Sequence, residues 1–457
     1  MPSFETTRRS MLTAALAGAV TLAVPQVATA AGAYVLPRRT PGGTTVTHHS
    51  WHTAKDWQHG SAQGVRPGGE ERPGLLLAEP AGTTEYRDPH RDGATSTWEY
   101  ATWTSASRAL RTPASELITS WNARTPPGTW IRVELRATYT DGTTTPWFTM
   151  GVWASGDGDD VPCRTSVDGQ SDGRSSVSTD TLVTGPGAGE QRFTAVRLRV
   201  TLLRAPGSEE SPRVCRLDTT GSDIEDRFEV PASRPGRGGA IELDVPRYSQ
   251  NVHLGRYPRY DNGGEAWCSP TSTQMIVEYW DRRPDPADLA WVKPEYDDPQ
   301  ICHAARQTYD HTYEGCGNWP FSTAYAATYP GLRATVTRLS SLADAERLVR
   351  AGIPLVTSQS FLATELTGAG YGTTGHLMTL IGFTADGDVI ANDPNSPDNA
   401  AVRRVYRRGE WENTWLRTKR RDGSGRIRSG SGGVCYVIWP ARPTAAQRRA
   451  LDSLGIA

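Results

Sequence analysis

Pro231-Ala232-Ser233-Arg234-Pro235-Gly236-Arg237-Gly238-Gly239 offers no sizeable apolar side chain and cannot build a core. The spacing of apolar residues differs on its two sides, so the stretch marks a boundary and residues 231–240 read as a mobile linker. Before it, from Val46 to Val230, short runs alternate apolar and polar residues. Trp130-Ile131-Arg132-Val133-Glu134-Leu135-Arg136-Ala137-Thr138-Tyr139 is the clearest, and Asp141-Gly142 follows it as a hairpin signal. Thr194 to Leu202 repeats the period of two, and no helical stripe of comparable clarity occurs in that half. The expectation is a multi-domain chain whose residues 46–230 form an all-β sandwich.

After the linker the pattern becomes mixed helix and strand, predicting an α+β domain over residues 241–457. Thr271, Met275, Ile276, Tyr279 and Trp280 trace a helix that begins near Cys268. Ser341 with Asp344 caps a second helix, Glu346 and Arg350 pair along it, and Gly352 stops it. Ile353 to Thr357 then reads as a strand. Gly375 to Phe383 and Val389 to Asp393 read as two more, joined at Asp386-Gly387.

At 457 residues the chain has length for two well-buried cores, with 15 Trp and 16 Tyr to fill them. Lys plus Arg number 49 against 50 Asp plus Glu, so no net field favours nucleic acid or an anionic membrane, and no nucleic-acid partner is expected. The amino terminus reads as a targeting segment. Thr7-Arg8-Arg9-Ser10-Met11-Leu12 precedes an apolar run to Val24, and Ala28-Thr29-Ala30 offers small residues for cleavage. Paired arginines before such a run resemble a twin-arginine export signal over residues 1–30, followed by a flexible segment 31–45. That predicts a secreted or extracytoplasmic protein whose mature part has no integral membrane segment. In an oxidising exterior, Cys163 is expected to pair with Cys215 and Cys302 with Cys316. A Cys268–Cys435 bridge is the competing use of the remaining two.

The chemistry concentrates around Trp267-Cys268-Ser269-Pro270-Thr271-Ser272. A proline suits a first helical turn, which sets Cys268 at a helix amino end where free backbone N–H groups favour a thiolate. A nucleophilic sulfur needs a base that later protonates the leaving group. His376 and Asp393 flank the Asp386-Gly387 hairpin, so both fall toward its open end, where the carboxylate can hold the imidazole in one tautomer. The order is nucleophile, base, orienter. Alone, His376 reads more readily as an ordinary core histidine, and Asp393 within Asn392-Asp393-Pro394-Asn395 as a turn residue. The Cys268 N–H and Gln250, in Val245-Pro246-Arg247-Tyr248-Ser249-Gln250, are the candidate oxyanion donors.

From about Ile241 to Tyr436 the chain resembles the peptidase C39-like branch of the papain-like cysteine peptidases. The features that match, in order, are Val245-Pro246 leading to Gln250, Cys268 opening its helix, Gly352-Ile353-Pro354-Leu355-Val356, Gly375-His376 and Asn392-Asp393-Pro394. The resemblance implies a papain-like fold with Cys268 as nucleophile, His376 as base, Asp393 as orienter and Gln250 as oxyanion donor, acting on a peptide or other amide without metal or cofactor. Two departures stand out. Ser269-Pro270 replaces the family's common Gly-Pro, and neither spanning segments nor a nucleotide-binding loop accompany the domain, which argues against leader-peptide processing by a transporter. Acyl transfer to an amine, as in transglutaminase-like proteins, is the alternative within enzymes; a non-catalytic cell-surface binding protein is the alternative outside them.

Other clusters read more plainly. Cys302-His303, His311 and Cys316 contain zinc-ligand types at irregular spacing, and a disulfide with two exposed histidines fits better. His48-His49 and His52 read as a solvated arm. Asp157, Asp159 and Asp160 read as a solvated turn, since they lack a calcium loop's spacing. Trp98, Trp103, Trp121, Trp130, Trp147 and Trp153 read mainly as sandwich core, with a cell-envelope glycan as the partner if some of them form an exposed face.

Overall fold

The computed structural model describes residues 45–68 and 73–456; the export signal and nearly all of the flexible segment lie outside them. Residues before the linker form two packed antiparallel sheets. One runs in the order Ser175–Ser178, Thr181–Thr184, Glu116–Arg124, Arg213–Asp223, Gly74–Leu77, Val65–Gly68, with Thr45–Trp51 also paired to Arg213–Asp223. The other runs Phe148–Trp153, Thr129–Tyr139, Phe193–Arg204, Thr95–Thr104, Ser61–Gln63. The alternation read in Trp130–Tyr139 is the cause: Ile131, Val133, Leu135 and Ala137 enter the core between the sheets. Gly142 supplies the left-handed residue of the hairpin at φ 83°.

Residues after the linker form a third antiparallel sheet in the order Leu332–Arg338, Val434–Pro440, Leu355–Phe361, Thr373–Phe383, Val389–Asn392, Arg403–Tyr406. Helices pack on it, among them Cys268–Tyr279, Trp319–Thr328 and Leu342–Arg350. Ser341 caps the last of these by accepting from the Asp344 N–H, and Glu346 pairs with Arg350 at 2.7 Å. The architecture is therefore multi-domain and strand-rich.

The two parts share one core, because Trp121 of the sandwich packs edge-on to Phe321 of Trp319–Thr328, with ring centroids 6.0 Å apart. Strand Leu332–Arg338 is an outer strand of its sheet, and its free backbone groups meet side chains of the sandwich. Asn122 Nδ2 donates to Ala334 O at 2.7 Å while Asn122 Oδ1 accepts from Ala334 N–H at 3.2 Å. Ser120 Oγ accepts from Val336 N–H, and Thr220 Oγ1 donates to Val336 O at 3.0 Å. Each such bond satisfies a buried backbone group that water cannot reach.

Several expectations change. The linker is fastened: Ser233 N–H donates to Glu412, Gly236 N–H to Glu346, and Arg408 donates to Ser233 O at 3.1 Å. Arg408, Glu346 and Glu412 are buried charges that need these partners. No disulfide joins any of the six cysteines. The sulfurs have other neighbours: Arg91 Nε lies 3.5 Å from Cys163, His253 Nδ1 lies 3.5 Å from Cys302, and Cys316 meets Ala305 O at 3.4 Å. Cys435 is buried in the helix-and-sheet core, and burial pushes its thiol up. His48 and His49 are no solvated arm but part of strand Thr45–Trp51, with His48 bonded to Thr220 at 2.8 Å and facing Asp218 at 3.3 Å. Asp157 is no free turn residue; it pairs across the domains with Arg306 at 2.8 Å. His303 is buried, and His311 is half-buried against Arg164 O. Trp98, Trp103, Trp121, Trp130 and Trp153 are core, while Trp147 sits half-buried between Arg136 and Arg199.

Candidate active site

Helix Cys268–Tyr279 starts on the nucleophile candidate itself. Trp267, which precedes it, is fully buried and anchored by Nε1 donating to Tyr260 O at 2.6 Å. No side chain caps this helix end, so its first N–H groups stay available. Ser269 replaces the small family residue with a buried hydroxyl bonded to Ser322 at 2.8 Å and Tyr436 at 2.9 Å. Ser272 Oγ donates to Leu377 O at 3.0 Å, and Thr379 Oγ1 donates back to Ser272 O. These two bonds lock the helix's first turns to the strand that carries His376.

His376 lies in strand Thr373–Phe383, opposite Gln359. Strand Val389–Asn392 pairs with the same strand beyond the Asp386-Gly387 turn, and Thr379 faces Asn392. Asp393, the next residue, thus arrives beside the imidazole. His376 Nε2 donates to Asp393 Oδ1 at 2.9 Å, with Asp393 wholly excluded from solvent and His376 5% exposed. The bond occupies Nε2, which leaves Nδ1 for the sulfur. Cys268 is half-buried and close enough to the ring for its charge to act on the imidazole. Burial opposes the imidazolium, yet the Cys268 charge and the hydrogen bond to Asp393 outweigh it and raise His376 to about 10. Burial likewise works against the Asp393 carboxylate, but the hydrogen bond from His376, the charge of that ring and the Tyr406 hydroxyl together hold it below its ordinary value.

Gln250 opens a short 3₁₀ turn, Gln250–His253, and is buried. Its Nε2 donates to Glu265 O at 2.7 Å, in the loop that delivers Cys268, and its backbone N–H donates to Pro394 O at 2.9 Å, next to Asp393. Gly264 allows the approach, since a Cβ there would stand 2.1 Å from Gln250 O. Gln250 therefore bridges the segments holding Cys268 and Asp393, with its second Nε2 hydrogen unused in that bridge.

All four residues singled out from the sequence are thus drawn to the meeting of the helix with the sheet. Two more join them without a local signal. Tyr371 and Tyr406 both donate to Asp393, at 3.0 and 2.7 Å from Oδ2. Among the described residues, no three His, Cys, Asp or Glu side chains gather as a metal site.

Residues 242–422 match the family model of the Peptidase_C39 like family, and residues 47–222 match that of the Peptidase C39 N-terminal domain. Both matches support the C39-like peptidase family. They point to a cysteine-peptidase-like function. A solved C39-like peptidase structure from Bacillus anthracis is 18% identical, covering 45% of this chain and 99% of that one, at a TM-score of 0.28; similarity that low carries no further argument. No curated protein matches the chain.

Proposed function

We propose that the chain is an exported, papain-like cysteine peptidase that cleaves a peptide or other amide bond through a thioester on Cys268. The observation that carries this reading is the buried Asp393–His376 pair, with Cys268 at an uncapped helix start and near enough for its charge to act on the imidazole. Cys268 Sγ attacks the carbonyl carbon, and the oxygen takes up negative charge beside the Cys268 N–H and Gln250 Nε2. The C–N bond breaks as His376 Nδ1 gives its proton to the leaving amine. Water then attacks the thioester, His376 takes a proton from it, the C–S bond breaks and a carboxylic acid leaves. Asp393 holds the ring throughout without taking the proton.

The paired arginines and apolar run of the amino terminus support export. Among the described residues no helix is long and apolar enough to cross a membrane. The test is a peptide-library cleavage profile with intact protein and with Cys268→Ala. Cleavage lost in the variant, together with iodoacetamide labelling concentrated on Cys268, is the expected result. Cleavage that survives the substitution would refute the proposal.

A further inference from the structure

The surroundings of Asp393 are more elaborate than an orienting carboxylate needs. Four groups donate to it: His376 Nε2 at 2.9 Å and the Asn395 N–H at 2.9 Å on Oδ1, Tyr406 Oη at 2.7 Å on Oδ2, and Tyr371 Oη at 3.1 and 3.0 Å across both oxygens. Arg404 Nε stands 4.0 Å from Oδ2. The simplest account makes this ordinary satisfaction of buried phenols. Two observations go beyond it. Tyr371 also presents its ring edge-on to the His376 imidazole, at 5.5 Å between centroids and 82° between planes, so one side chain touches both base and orienter.

The segment that brings Tyr371 there is held by charged groups. Arg404 donates to Gly368 O and Ala369 O at 2.8 Å, Glu410 accepts from Thr367 N–H at 2.7 Å, and Arg417 pairs with Glu365 at 2.6 Å. Tyr406 comes from a different element, the outer strand Arg403–Tyr406, whose Arg404 also holds the Tyr371 segment. The carboxylate is gripped by two separate parts of the chain.

The geometry points to Tyr371 and Tyr406 as positioning residues, which act through Asp393 to fix the plane of its carboxylate and keep the proton on His376. Resting on the peptidase reading above, this assigns the two oxygens different tasks. Oδ2 is taken up by the phenols, so the carboxylate cannot rotate and Oδ1 stays in line with the imidazole N–H. Phenol donors also weaken the carboxylate as a base, so the shared proton remains on Nε2 and the ring stays an imidazolium that can give its Nδ1 proton to the leaving amine. Burial and the neighbouring Asp393 raise both tyrosines well above their ordinary value, so they remain donors at every working pH.

The experiment follows the alkylation rate of Cys268 by iodoacetamide, from about pH 4 to about pH 9, in the intact protein and in Tyr406→Phe, Tyr371→Phe, Asp393→Asn and Asp393→Asn/Tyr406→Phe. Alkylation needs no identified substrate. Tyr406→Phe is expected to slow alkylation about tenfold near neutrality and to move the acid limb upward by about one pH unit, as a less stabilised carboxylate competes for the proton. Tyr371→Phe should do the same to a smaller extent. In the Asp393→Asn background, removing the Tyr406 hydroxyl should change nothing further. An unmoved acid limb in both folded tyrosine variants, or an equal loss from Tyr406→Phe with and without Asp393, would overturn the assignment. Failure of the peptidase reading is separate, because it would appear as cleavage that survives Cys268→Ala.

Discussion

The seam between the domains and the neighbourhood of Cys268 both bury polar groups, and they use them in opposite ways. At the seam, neutral side chains of the sandwich, Asn122, Ser120 and Thr220, satisfy backbone groups of strand Leu332–Arg338 among apolar residues such as Trp121 and Phe321. Around Cys268, titratable groups are packed together, and hydroxyls and amides are spent on holding one carboxylate. The first arrangement fixes shape, and the charges it does contain, Arg306 with Asp157 and Arg338 with Glu116, are paired across the domains; the second fixes where a proton resides.

That contrast can be broken or sharpened by experiment. The largest expected effect is on rate: Asp393→Asn should lower kcat/KM by about 10³- to 10⁴-fold, as loss of the orienting carboxylate does in related triads, with the thermal midpoint shifted far less in proportion. It is checked by steady-state kinetics on a substrate found in the cleavage profile. Next comes Trp121→Ala, which removes a fully buried indole from the shared core and should cost about 3–5 kcal/mol in denaturant unfolding. If the core is truly shared, fluorescence signals from both domains shift together; separate transitions would count against it.

Third is a pH effect on stability. His376 is raised above its unfolded value of 6.5 to about 10, so its contribution is complete below 6.5 and fades as the pH rises toward 10. Unfolding midpoints should therefore fall over that window, and His376→Gln should flatten the fall. The smallest is Asn122→Ala, about 1–3 kcal/mol for leaving the Ala334 backbone groups unpaired, read by the same denaturant titration with cleavage unchanged.

What was legible in the sequence follows from how local each signal is. The hairpin at Asp386-Gly387 fixes its own register, so the meeting of His376 with Asp393 could be read from the chain. Cys268 was legible because Pro270 and the apolar spacing after it announce a helix start. Tyr371 and Tyr406 left no trace: one stands in a clamped loop and the other in an outer strand, and only the folded sheet brings them to one carboxylate. The seam was hidden for the same reason, since Asn122 and Ala334 belong to separate domains. The fastening of residues 231–240 depends on buried charges at Glu346, Arg408 and Glu412, far along the chain from the glycines and prolines that suggested mobility. Cysteine spacing carries no geometry, so it could not reveal that Cys302 faces His253.

The covered margin of the third sheet has one more implication. A bare strand such as Leu332–Arg338 is a template onto which a second polypeptide can add by backbone pairing, and sheets that leave it open tend to associate into aggregates. Here the residues that close it off come earlier in the chain, so on the ribosome the cover is synthesised before the margin it protects. In the folded chain the amino-terminal sandwich thereby closes that margin to pairing with a second polypeptide.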